Sequence, residues 1–157
     1  MNQDYPAGSD PYPSAPPPEP VVRWRVPAKT PYVTYFMIAS CVLVYIAQRV
    51  TDATMGTDLP ALYGMKINAA IIAGQYWRLL TPMWLHGSIT HIFFNMYALY
   101  VIGRGLEQQY GHLRYAILYL VSGFAGNVLS FLLTANPSLG ASTAIFGLVA
   151  AEGFFIF

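Results

Sequence analysis

Long stretches without charge set the pattern of this chain. One apolar run extends from Tyr32 to Gln48 and is closed by Arg49. A second runs from about Ile89 to Gly103 and ends at Arg104, a third from about Tyr115 to Leu133, and a fourth from near Ala141 to Phe157. From Tyr115 to Ala151 there is no charge at all, and only Thr134–Gly140, with a proline and a glycine, interrupts the run. That interruption predicts a tight turn between two helices. Runs of this length approach the ~20 residues that span a bilayer. The pattern therefore predicts four membrane helices, at about 32–49, 89–103, 115–133 and 141–157. Residues 50–88 read as a long loop, apolar at Trp77, Leu79, Leu80, Met83 and Trp84 and expected to lie on or partly in the outer leaflet. Residues 1–31 hold nine of the twelve prolines. Proline removes backbone donors and fixes φ, so this stretch reads as a disordered, partly polyproline cytoplasmic tail.

Composition strengthens the membrane reading. Of 157 residues, 55% are hydrophobic and 10% charged, against about 25% charged in an ordinary soluble domain. Mean hydropathy is +0.44. Residues 32–157 carry only nine charges, too few polar groups to cover a water-soluble surface. The net charge of +1 without a basic run gives no electrostatic support to a nucleic-acid partner. Cys41 is the only cysteine, which excludes an internal disulfide framework, a CxxC redox site and a thiolate zinc cluster. No metal or cofactor is expected.

The few charges predict an orientation. Arg23, Arg25 and Lys29 precede the first run, Arg104 and Arg114 lie between the second and third, and Thr134–Gly140 has none. Positive charge favours the cytoplasmic side. The N-terminus and the 104–114 loop are then inside, and the 50–88 and 134–140 loops outside. This topology brings His91, Asn95 and Ser142 to a similar, shallow depth. His91 and Asn95, four residues apart, share a helix face. Polar groups in hydrocarbon are costly unless they face protein or water, so the three form a candidate site. Singly, Asn95 and Asn127 read as interhelical hydrogen-bonding groups, and Ser122, Gly126 and Ser130 as a close-packing stripe. His86 and His112 read as ordinary loop residues, and Glu152 receives no role.

Ser142 stands in Gly140-Ala141-Ser142-Thr143-Ala144-Ile145-Phe146-Gly147. Gly140 permits close backbone approach, and a helix starting here offers free N–H groups and a positive dipole end. A nucleophilic serine at that point would have oxyanion donors beside it. Thr143, being β-branched, requires ordinary helical backbone.

These residues resemble the rhomboid intramembrane serine proteases. The resemblance is carried by Trp77-Arg78-Leu79-Leu80-Thr81-Pro82, by His86-Gly87-Ser88 with His91-Ile92-Phe93-Phe94-Asn95, by Gly105-Leu106-Glu107-Gln108-Gln109-Tyr110-Gly111 with Arg114, and by a segment similar to the family's GxSG box. It covers about residues 32–157. It implies an all-α membrane protein, a rhomboid-like polytopic helical bundle with four of an expected six membrane helices present. Ser142 would be the nucleophile, His91 and Asn95 oxyanion donors, Trp77 and Arg78 part of the outer-leaflet loop, and Phe146 the aromatic that packs against the catalytic histidine. That histidine comes from the family's sixth helix, and no candidate for it lies in these 157 residues. The chain is thus expected to be an N-terminal fragment ending in the fourth membrane helix, inactive alone.

The expected function is cleavage of single-span membrane proteins near the outer face, without cofactor, in a bacterial plasma membrane. The alternatives are a rhomboid-like pseudoprotease that binds membrane proteins without cutting them, and a structural or transport bundle.

Overall fold

The computed structural model of the protein describes residues 30–156, with side chains through Gly153. The expected Pro-rich tail lies outside these residues except for Thr30 and Pro31. The described chain is helical: α1 (Tyr32–Met55), α2 (Leu59–Gly64), α3 (Asn68–Ile72), α4 (Ile89–Ala98), α5 (Arg104–Tyr110), α6 (His112–Leu133) and α7 (Ser142–Ile156). Short 3-10 turns occupy Tyr76–Leu79 and Thr81–Trp84, and a π turn over Leu99–Gly103 joins α4 to α5. By length and composition α1 and α6 can each cross a membrane, and Ser142–Gly153 of α7 is a shorter apolar helix.

Two expectations are corrected here. The 104–114 segment is not a loop: α5 continues the second helix, and only Gly111, at φ 79°, separates it from α6. The 50–88 segment is also more ordered than expected, because α1 runs on to Met55 and α2, α3 and the 3-10 turns follow. Asp58 caps α2 by accepting from the Ala61 N–H at 2.9 Å, so the polar residues of this loop build helix ends.

The core gathers Met83 from the 3-10 segment, Leu99, Leu106, Tyr115 and Tyr119, and Ala144 and Leu148 of α7. Large apolar side chains also point outward: Phe36, Leu43, Phe93, Phe94, Leu132 and Phe146 are all exposed. That outward-facing greasiness suits a lipid surround and is anomalous in water. The α6–α7 contact is made by small residues. Gly126 meets Thr143, where an added Cβ would fall 2.6 Å from the threonine Cβ, and Gly147 lies directly against Ser122. Without a hydrophobic drive between helices in lipid, such close backbone approach supplies the attraction.

The start of α1 is capped from far away in sequence. Pro31 offers no side-chain cap. Instead the buried carboxylate of Glu107 accepts from the Val33 N–H at 2.8 Å, the Thr34 N–H at 2.7 Å and the Thr34 hydroxyl at 2.7 Å. A carboxylate there satisfies orphan donors and complements the helix dipole. His112, expected to be an ordinary loop residue, completes this cap with its Nδ1 2.6 Å from the same carboxylate.

Candidate functional site

Ser142 is the first residue of α7. The Ile145 N–H donates to the Ala141 carbonyl at 3.0 Å, so the N–H groups of Ser142, Thr143 and Ala144 belong to the unpaired first turn. Thr143 is helical, and no non-glycine residue among those described has positive φ. The chain reaches Ser142 through Gly140, at φ 132°. Its N–H donates to the Pro82 carbonyl at 2.8 Å, which ties the approach to the loop preceding α4.

The residue that faces this approach is His91. A Cβ on Gly140 would fall 2.7 Å from both Cε1 and Nε2 of His91, and 3.6 Å from the Ser142 hydroxyl oxygen. The absence of a side chain at Gly140 therefore lets the imidazole pack against this backbone, beside the residue that precedes Ser142. His91 lies in the first turn of α4, where its N–H takes the cap from the Ser88 hydroxyl at 3.1 Å. Asn95, one turn further along, is buried, and its Nδ2 has no hydrogen-bond partner. An unpaired buried amide donor is costly, so it is poised for an acceptor. No hydrogen bond joins Ser142 to His91 or Asn95 among the described residues.

His86 is a correction. It is wholly buried, with its ring edge-on to His91 at a centroid distance of 5.2 Å. Its backbone N–H donates to Gln48 Oε1 at 3.0 Å, and Gln48 in turn donates to Asp58 at 2.8 Å. Burial and then the neighbouring His91 push the His86 imidazole down to about 4, with the Trp84 backbone only partly opposing. It is therefore a neutral ring that supports His91.

Arg78 is buried and structural in its contacts. Its guanidinium donates to the carbonyls of Met65 at 2.8 Å and Leu62 at 2.9 Å, and to Gln75 Oε1 at 2.7 Å. Trp77 is half exposed and donates from Nε1 to the Tyr63 carbonyl at 3.0 Å. Phe146 is exposed one turn below Ser142. Asn127 donates to the Leu79 carbonyl at 3.1 Å, an interhelical-type bond to the loop. Glu152 has one buried carboxylate oxygen without a partner.

Sequence reasoning passed over two residues here. Lys66, one of the few charges of the 50–88 segment, is completely buried. Pro82 matters for its carbonyl, which no residue-type pattern reveals. The signal for Lys66 was available: it is a lone cation in an apolar stretch from Leu59 to Tyr76.

A glycine-led serine at a helix start, with a histidine of a second apolar helix packed against that glycine and a buried asparagine one turn along the same helix, defines a class: helical membrane proteins with polar groups gathered at the ends of two apolar helices. Comparison with known proteins narrows the class. A family model described as the Rhomboid domain matches residues 73–157. The chain is 39% identical over 121 residues to Rhomboid protease GluP of Bacillus subtilis (strain 168), covering 77% of this chain and 24% of that protein. It is 42% identical over 106 residues to RHOMBOID-like protein 9, chloroplastic, of Arabidopsis thaliana, covering 67% and 24%. With RHOMBOID-like protein 5 of the same plant it shares 34% identity, covering 85% and 51%. The chain belongs to the rhomboid family, a family of integral membrane proteins known as intramembrane serine proteases. It spans between a quarter and a half of the length of these relatives.

Proposed function

We infer that this chain belongs to an intramembrane serine endopeptidase with Ser142 as its nucleophile. The observation that carries the reading is the packing of the His91 imidazole against Gly140, two residues before Ser142 at the start of α7. The Ser142 oxygen attacks a peptide carbonyl of a membrane-spanning substrate. The negative charge that develops on the carbonyl oxygen is received by the free N–H groups of the first turn of α7 and by His91 and Asn95, worth about 3–4 kcal/mol per donor in serine hydrolases. The hydroxyl proton goes to a general base, which returns it to the departing amine. Water then releases the acyl group. A serine hydroxyl needs such a base, and we assign it to a histidine beyond these 157 residues, packed near Phe146. The substrate must unwind, because helical hydrogen bonding shields its carbonyls.

The topology that goes with this function has four spans in this chain, residues 1–31 in the cytoplasm and Ser142 near the outer face. Trp77 and Arg78 lie in an outer-leaflet loop. The membrane we assign is a bacterial plasma membrane, in keeping with the likeness to the Bacillus relative, although the chain is similar to plant relatives as well. The substrates are single-span membrane proteins.

The test is cleavage of a model single-span substrate by the full-length protein in proteoliposomes. Ser142→Ala is expected to abolish it, and undiminished cleavage would refute the assignment. The free Ser142 hydroxyl, without a hydrogen-bonded base among the described residues, keeps one second reading in view: a pseudoprotease that binds such proteins uncut. Retained substrate with no product from the unsubstituted protein would select it.

A further inference from the structure

Lys66 lies between α2 and α3, with none of its surface exposed and no salt bridge among the described residues. Its ammonium donates to the Ser130 carbonyl at 3.0 Å, the Thr134 carbonyl at 2.7 Å and the Asn136 carbonyl at 3.0 Å, with the Thr134 hydroxyl at 3.4 Å. Its backbone exchanges two further bonds with Ser138, at 2.9 and 3.2 Å. Asn68 adds bonds to the Phe131 and Thr134 carbonyls, each at 3.0 Å. A buried cation is costly unless it is fully hydrogen-bonded. Here the oxygens come from the carboxy end of α6, where the helix dipole is negative, and from the turn that follows.

That turn, Thr134–Gly140, is the segment that delivers Ser142. Its first half is gathered on the Lys66 ammonium and its middle on the Lys66 backbone. Its end is held by Pro82 through Gly140. We propose that Lys66 is a positioning residue for the Ser142 hydroxyl: by drawing the carbonyls of 130, 134 and 136 onto one point, it fixes the height at which Gly140 packs against His91 and so where Ser142 stands. The role rests on the reading of Ser142 as nucleophile. It also accounts for a cation kept in an apolar setting: an aliphatic side chain would fill the space but strip the donor from the Asn136 carbonyl, leaving Ser130 with only the Thr134 N–H and Thr134 with only Asn68.

The experiment uses the full-length protein in proteoliposomes with Lys66→Met, which keeps the shape, and Lys66→Gln, which keeps a shorter donor. A model single-span substrate gives kcat and KM, and thermal unfolding gives the folded fraction. Both variants are expected to lose at least tenfold in kcat per folded molecule, with KM within twofold of the parent. If Lys66→Met does not fold, Lys66→Gln decides. A lowered melting temperature with unchanged kcat per folded molecule would overturn the proposal, because a merely structural lysine predicts that result. A spin label on Asn136→Cys in a Cys41→Ser background reads the turn directly. Greater label mobility in Lys66→Gln supports the clamp, and unchanged mobility overturns it even if Ser142→Ala shows that the serine is not the nucleophile.

Discussion

At the scale of single residues, Gly140 bears the sharpest constraint. Its φ of 132° disfavours any side chain, and a Cβ would sit 2.7 Å from the His91 ring. Gly140→Ala must therefore strain the backbone and displace the imidazole together. Displacements of about 1 Å at a reacting centre can cost ~100-fold in rate. We expect kcat to fall by that order while the protein still folds, as read by cleavage rate and melting temperature side by side; wild-type kcat would sink the idea. The sequence allowed the glycine, the serine, His91 and Asn95 to be named, because each is a polar or special residue in an apolar stretch. It did not reveal His86 or Lys66, whose importance comes from burial. Burial of a loop residue depends on what folds over it; the apolar stretch around Lys66 is a local hint of that, and the residues around His86 carry none.

At the scale of elements, the four apolar runs were legible because hydrophobic length is a one-dimensional signal. Helix ends were less so. The second run appeared to stop at Arg104, yet α5 carries on through Glu107, because that carboxylate is withdrawn from solvent to cap α1. A partner 73 residues away in the chain cannot be read from local pattern. The α6–α7 pair was legible in its small residues, and it gives a test. Gly126→Val would place a branched side chain where the Thr143 Cβ already lies 2.6 Å from a single added carbon. Overpacking of this kind costs about 1–3 kcal/mol. We expect a lower unfolding midpoint, measured in detergent or lipid, together with weaker cleavage, since Thr143 adjoins Ser142. An unchanged midpoint would mean that the two helices are not held by this contact.

At the scale of the whole molecule, two buried groups make the fold sensitive to acid. The His86 imidazole sits at about 4 when folded, below its ordinary 6.5. A lowered folded value means that its contribution is complete above about pH 6.5 and is lost as pH falls toward 4. At about 1.4 kcal/mol per unit, the loss approaches 3 kcal/mol. Burial alone would raise Glu107, but bonds from the Thr34 hydroxyl, His112 and the Thr34 and Val33 N–H groups outweigh it and hold the carboxyl below its ordinary 4.5. Its contribution is therefore lost only below pH 4.5. Unfolding midpoints taken from pH 7 to 4 should fall, and His86→Gln should flatten the upper part of that decline. A slope unaltered in the variant would remove His86 as the cause. The two halves of the long second helix are joined by the π turn at Leu99–Gly103, and the wider turn has a geometric effect. Asn95, Leu99, Gly103 and Glu107 are all buried, at intervals of four. In a regular helix of 3.6 residues per turn, such a row drifts by about 40° at each step. One widened turn absorbs an extra residue and winds the drift back. The amino-terminal half can then aim Asn95 into the bundle while the carboxy-terminal half aims Glu107 the same way, so a single local underwinding sets the angular phase between the two ends of the helix.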